Sequence, residues 1–140
     1  MGLPTNDWTA AFLGMEEAAR GTVVSAGDGL VSISVDGVEV VVSGDASVGE
    51  HAVLAVRPED VLLFEASIEL PVTTARNRLR ASVVAVTPQG ASNHVVLDAH
   101  GLRLAARVSR AATTELGLIP GASVLALFKA TAVRWAVLPD

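Results

Sequence analysis

The 140-residue sequence contains no cysteine and no tyrosine, and only 4% of its residues are aromatic. The lack of cysteine excludes disulfide bonds, thiolate metal sites and a cysteine nucleophile. No uninterrupted apolar stretch approaches the ~20 residues that a transmembrane helix needs. The N-terminus also lacks the basic start and apolar core of a signal peptide. We therefore expect a soluble cytoplasmic protein whose core consists of valine, alanine, leucine and isoleucine.

Charged residues are also scarce, at 18%, whereas hydrophobic residues make up 51% of the chain. This composition excludes an intrinsically disordered chain, and the length fits one domain or two very small ones. The net charge of −5 is unevenly distributed: residues 1–71 hold two basic and twelve acidic residues, and residues 72–140 hold eight basic and three acidic residues. The asymmetry indicates either a drift in surface charge between two small modules or a second half that binds an anion.

Alternating apolar residues and turn signals predict an almost all-β chain. Asp36-Gly37 is a strong hairpin signal, and Ser109 is a candidate cap for a short helix over 110–116. A second short helix is predicted over 5–15. The predicted strands lie at 22–26, 30–35, 38–42, 52–56 and 61–64 in the first half, and at 81–87, 93–97, 102–108, 124–128 and 132–138 in the second.

The two halves align with each other, which indicates a tandem duplication. Segment 20–24 matches 80–84, segment 37–40 matches 101–104, and segment 49–61 matches 121–133. Five short strands in about 60 residues are typical of an OB-like Greek-key barrel. We therefore predict an all-β fold of tandem OB-like five-stranded barrels, with a short helix in the second unit and a short N-terminal helix. The predicted division is 1–16 for the N-terminal helix, 17–70 for the first barrel and 71–140 for the second.

Motifs that would indicate catalysis are absent from the sequence. It has no P-loop, no nucleophile elbow and no histidine pair with metal-ligand spacing. Glu59 and Asp60 are adjacent, so on an extended segment they would point to opposite faces and could not form an acid–base pair. We therefore expect that this chain is not an enzyme and that it binds no metal cation and no cofactor.

One donor-rich segment enters the second barrel, Thr73-Thr74-Ala75-Arg76-Asn77-Arg78-Leu79-Arg80. It is either a polar linker with solvated arginines or a cradle for an oxyanion. A tetrahedral dianion offers only acceptors, so it needs hydroxyl, amide and guanidinium donors that converge on it. Thr74, Arg76 and Asn77 could supply such donors, and Ala75 would allow a close approach of the backbone.

The single lysine of the chain, Lys129, stands at the end of an apolar strand and is followed by Ala130 and Thr131. A lysine in this position either extends its ammonium group into water or provides a second contact to the anion. The sequence alone leaves both interpretations open.

Several spaced motifs between residues 72 and 138 resemble the Mop domain, a molybdate- and tungstate-binding unit related to the TOBE domain. They are Thr74-Ala75-Arg76-Asn77-Arg78-Leu79, Gly90, Ala106-Arg107-Val108-Ser109, Glu115-Leu116-Gly117-Leu118-x-Pro120-Gly121 and Ala126 to Val133. The resemblance implies an OB-like barrel that binds molybdate or tungstate between subunits or paired units. It implies as oxyanion-binding residues Thr74, Ala75, Arg76, Asn77, Lys129, Ala130 and Thr131.

The first half resembles the region that follows the nucleotide-binding domain in ABC importer ATPases. Phe12-Leu13-Gly14 and Arg57-Pro58-Glu59-Asp60 carry this resemblance. It implies that residues 1–16 are a linker helix from an ATPase domain. Glu17-Ala18-Ala19-Arg20 replaces the donor-rich segment of the second half, so we expect the first barrel to serve pairing and dimer formation.

Together these resemblances imply the cytoplasmic regulatory region of a molybdate or tungstate importer ATPase. The expected partners are a second copy of the chain, with anion sites at the dimer interface, the ATPase domain and, through it, the membrane permease. The chain itself would not insert into the inner membrane. Alternatives are a free-standing cytoplasmic molybdate store and a dimerisation module of an importer for another solute. Nucleic-acid binding is disfavoured because Phe128 and Trp135, the aromatic residues of the second half, follow apolar strand patterns.

Overall fold

The computed structural model describes residues 18–139, which form ten strands in two five-stranded antiparallel sheets. The predicted helix over 5–15, and with it the predicted segment 1–16, lies outside the described residues. The strands of the first half are β1 (Ala19–Gly27), β2 (Leu30–Val35), β3 (Val38–Ser43), β4 (His51–Val56) and β5 (Leu62–Glu65). Those of the second half are β6 (Asn77–Gln89), β7 (Ser92–Ala99), β8 (Leu102–Ser109), β9 (Ser123–Phe128) and β10 (Val133–Val137). The predicted short helix is α1 (Arg110–Glu115), and 3-10 turns lie at Pro58–Asp60 and Ala130–Ala132.

The hairpins form where the turn residues tolerate a positive φ. Asp36 and Gly37 have φ values of 50° and 87°, and they join β2 to β3. His100 and Gly101 have φ values of 52° and 100° at the equivalent turn between β7 and β8. Two consecutive left-handed residues match the right-handed twist of the paired strands. The hairpin predicted at Asp36-Gly37 is therefore confirmed, and the second half repeats it.

The internal repeat extends to the details of the backbone. β1 has a bulge after Val23, and β6 has one after Val83, the counterpart of Val23 in the second half. Each of these valines exchanges two hydrogen bonds with the loop before the fourth strand of its half. These bonds are Val23 N to Glu50 O (2.8 Å), Gly49 N to Val23 O (2.9 Å), Val83 N to Ala122 O (2.8 Å) and Gly121 N to Val83 O (2.8 Å).

The two halves exchange their last strands. The first sheet has the order β10-β4-β1-β2-β3, and the second has the order β5-β9-β6-β7-β8. The exchange is reciprocal: Leu62 pairs with Leu127, and the residues that correspond to them in the repeat, Arg134 and Ala55, pair in the same way. The boundary predicted between residues 70 and 71 therefore falls between β5 and β6, and each sheet contains one strand from the other side of it.

Both sheets share one hydrophobic core. A single cluster of buried side chains includes Val31 and Ile33 of the first half together with Val95 and Leu97 of the second. Apart from Asn77 and His94, the buried side chains of the described residues are apolar. The architecture confirms the predicted all-β fold of tandem OB-like units, with the short helix in the second unit.

Candidate functional site

The two predicted oxyanion-binding stretches meet at one end of the second sheet. β6 begins at Asn77 and β9 ends at Phe128, and these two residues form the last pair of their ladder. Arg76 directly precedes this pair, and Lys129 directly follows it. The antiparallel pairing of β6 with β9 thus brings together residues 74–77 and residues 129–131, which lie far apart in sequence.

The stretch before β6 is fixed by local contacts. The Ala75 N–H donates to Thr73 Oγ1 at 2.8 Å, and Arg78 Nε donates to the Ala75 carbonyl at 3.3 Å. The Ala75 side chain is buried in a small cluster with Leu125 and Leu127 of β9. Thr74 and Arg76, on either side of Ala75, are exposed. The backbone is therefore held in place while a hydroxyl and a guanidinium face solvent.

The stretch after β9 forms a tight turn. Lys129 is extended, with φ −75° and ψ 149°, and its carbonyl accepts from the Ala132 N–H at 3.0 Å. Ala130 is buried, and the turn Ala130–Ala132 packs against β3 of the first sheet. Lys129 and Thr131 are exposed. This turn therefore presents a second cation and a second hydroxyl beside those of the first stretch.

Asn77 differs from the other predicted site residues because its side chain is almost fully buried, with 2% of its surface exposed. Its Oδ1 accepts from the Val41 N–H at 2.8 Å, and its Nδ2 donates to the Val41 carbonyl at 2.8 Å. Val41 lies on β3, the edge strand of the first sheet. The side-chain amide therefore pairs with this edge as a neighbouring strand would.

The exposed cations of the site are available to a ligand. Within residues 18–139, neither Arg76 nor Lys129 forms an ion pair or a side-chain hydrogen bond with another described residue. Lys129 and Thr74 line an open pocket of about 330 Å³ whose other walls are mainly apolar. Asp60 also lines this pocket, and its carboxylate is 3.2 Å from Arg57 Nε.

The equivalent turn of the first half carries different chemistry. When segment 49–61 is aligned with segment 121–133, Arg57 stands where the second half has Lys129, and Asp60 stands where it has Ala132. Asp60 neutralises Arg57 within this turn. The first half therefore presents a cation that is already paired with a carboxylate.

Three residues contribute to the site although nothing in the sequence indicates it. Val41 takes part only through its backbone, and Leu62 and Phe64 line the pocket only because β5 crosses to the second sheet. The described residues include no group of three or more histidines or carboxylates placed to hold a metal ion. In the same part of the chain, no helix has the length and hydrophobicity to cross a membrane.

Comparison with protein families matches residues 73–135 to the TOBE domain. The molybdate/tungstate import ATP-binding protein WtpC of Pyrococcus abyssi is 31% identical to this chain over 135 residues, which cover 94% of the chain and 35% of WtpC. The molybdenum import ATP-binding protein ModC of Brucella abortus is 36% identical over 91 residues, which cover 64% of the chain and 25% of ModC. The chain thus spans about a third of the length of the first of these relatives and a quarter of the second.

Among solved structures, the cytoplasmic molybdate-binding protein ModG, with molybdate bound, has the same fold. The two superpose with a TM-score of 0.80 at 27% sequence identity, covering 89% of this chain and 98% of ModG. Residues 73–135 therefore match the TOBE domain, and the chain is homologous to the C-terminal region of molybdate/tungstate ABC importer ATP-binding proteins.

Proposed function

We propose that this chain binds molybdate or tungstate as the regulatory C-terminal region of an ABC importer ATP-binding subunit. The observation that carries the proposal is the meeting of the two donor stretches at the end of β6 and β9. There, Arg76 and Lys129 are exposed and form no ion pair with any described residue. The relatives named for molybdate and tungstate import support this choice of anion.

The chemistry of the donors suits a tetrahedral dianion. Molybdate and tungstate offer only oxygen acceptors, and the exposed groups here are a guanidinium, an ammonium and two hydroxyls. Hydrogen bonds to a charged partner contribute roughly 1.5–3 kcal/mol each, more than neutral ones. The small Ala75 and Ala130 leave the backbone beside these donors free of bulky side chains. The direct ligands in this proposal are Thr74, Arg76, Lys129 and Thr131.

The proposal includes a homodimer in which the anion lies between subunits. The pocket beside Lys129 is open, and Leu62 on its wall is 61% exposed, so a second copy could close it. An anion that binds one arrangement of the two subunits more tightly shifts the population toward that arrangement. In an importer, accumulated anion would in this way inhibit further uptake. The chain would act in the cytoplasm, beside the inner membrane, and would not itself be a catalyst.

Isothermal titration of the purified chain tests the anion site directly. Wild type is titrated with molybdate, tungstate and sulfate, beside Arg76→Ala and Lys129→Ala. Each substitution removes one charge-assisted contact, so we expect the affinity to fall about 10- to 100-fold. Arg107→Ala is the matched control, because it removes an exposed arginine of β8 that belongs to neither donor stretch and does not line the pocket beside Lys129.

Saturable binding of molybdate that both variants lose and the control keeps would support the proposal. Equal loss in all three variants would indicate a general charge effect and would contradict a defined site. If the wild-type chain bound neither molybdate nor tungstate, the proposal would be wrong. The alternative of a dimerisation module of an importer for another solute would then be favoured.

One observation favours a second candidate, a free-standing molybdate store. This chain covers 98% of the solved ModG chain, and ModG is a cytoplasmic molybdate-binding protein. The reading frame of the gene distinguishes the two candidates. An ATPase domain encoded upstream in the same frame supports the regulatory region, and its absence supports the store.

A further inference from the structure

One strand of the first half supports both stretches of the candidate site in the second half. Asn77, at the start of β6, is hydrogen-bonded to Val41 of β3. The turn Ala130–Ala132, after β9, packs against the same strand. Arg76 and Lys129 are each directly adjacent to one of these anchored segments. β3 therefore supports the segments that carry both cations, although no side chain of β3 is among the proposed donors to the anion.

The Asn77 contact is specific in a way that hydrophobic packing is not. Its amide satisfies the N–H and the carbonyl of a single residue, each at 2.8 Å, on the edge of a sheet that has no further strand there. An asparagine side chain can donate and accept at the same time, which a carboxylate or an alkyl group cannot do. Loss of either bond would leave a polar group unpaired in a buried place.

We infer that Asn77 is a positioning residue for the oxyanion site, through which the first unit holds the donors of the second unit in place. The inference rests on the proposed function and assigns Asn77 a role other than direct ligand. The first unit lacks a donor-rich segment of its own at residues 17–20, yet in this arrangement the second unit cannot orient its donors without β3.

The inference has a reciprocal consequence that can be measured in wild type. If β3 holds the donors, an anion that orders those donors must also stabilise the contact with β3. The Val41 N–H reports this contact because it donates to Asn77. The Ala112 N–H is a matched reference, because it too donates to a side-chain oxygen, that of Ser109 at the start of α1.

The experiment uses the full chain as wild type, Asn77→Ala and Asn77→Asp. Asn77→Asp preserves the shape and the acceptor, but it places a second oxygen against the Val41 carbonyl. Asn93→Ala is the control, because Asn93 is half-buried in the same sheet and, like Asn77, donates through Nδ2, here to Thr113 Oγ1 at 2.9 Å. Three quantities are measured: molybdate affinity by titration, thermal unfolding, and amide hydrogen exchange with and without molybdate.

We expect both Asn77 variants to lose at least tenfold in molybdate affinity. Asn93→Ala removes one side-chain hydrogen bond and lowers the thermal stability, but it should keep wild-type affinity. In wild type, molybdate should slow exchange at Val41 more than at Ala112. Folded Asn77 variants that bind as wild type does would overturn the inference and leave the proposed function intact. If neither variant folds, equal effects of molybdate on Val41 and Ala112 would overturn it. A wild type that binds no oxyanion overturns the proposed function, and the inference falls with it.

Discussion

Four residues determine how two copies of one backbone turn differ in the charge that they present. The turns at Pro58–Asp60 and Ala130–Ala132 have the same form and follow equivalent strands. In the first, Asp60 lies 3.2 Å from Arg57 Nε, whereas in the second Ala132 leaves Lys129 without a neutralising partner among the described residues. A single acidic side chain therefore separates a paired cation from an available one.

Asp60 also lines the pocket beside Lys129, so its charge opposes an anion there. We predict that Asp60→Asn raises the affinity for molybdate about two- to fivefold, since an interaction between two exposed charges contributes up to ~1 kcal/mol. The gain should shrink as salt is added, because exposed charges are screened. Glu59→Gln serves as the control, because it neutralises the neighbouring acid, which does not line the pocket. Titration at two salt concentrations checks this, and equal gains in both variants would count against it.

At the scale of elements, the sequence predicts the strands well because their signals are local. Alternating side chains mark β2, and residues that tolerate a positive φ mark its turn to β3. The partner of β5 is not predicted in this way. Its apolar residues would suit either sheet, and only the shared core and the reciprocal register determine which one it joins. The polarity of Asn77 predicts an anion ligand, whereas its bond to Val41 depends on that same three-dimensional arrangement.

One position of β1, Gly21, has no room for a side chain. A Cβ on Gly21 of β1 would overlap the Ser34 carbonyl oxygen and lie 2.7 Å from Ile33 Cγ2. We predict that Gly21→Ala destabilises the fold by about 1–3 kcal/mol, the usual cost of overpacking. Gly27→Ala, at the other end of β1, meets nothing within 4 Å and is the control. Urea denaturation compares the two, and an unchanged midpoint for Gly21→Ala would refute the clash.

At the scale of the whole molecule, the exchanged strands and the common core join the halves into one cooperative unit. We predict a single unfolding transition in calorimetry, with equal calorimetric and van't Hoff enthalpies. Gly21→Ala, in the first sheet, should lower the stability of amides in the second sheet by the same amount, as hydrogen exchange would report. Two separate transitions, or a loss of protection confined to the first sheet, would mean that the units fold independently.

The exchange of β5 and β10 bears on how such a chain could arise. A protein made of one unit alone would have a last strand that its own sheet does not accept, and a sheet edge without its strand. Two copies could satisfy each other, because β10 of one copy could occupy the place of β5 on the other, in the register that Arg134 and Leu62 already share. Fusion of two such genes would convert an association that depends on concentration into one that is permanent within a single chain. Once covalently linked, one copy would no longer need to bind the anion, and its turn could acquire Asp60 while its β3 continued to support the other.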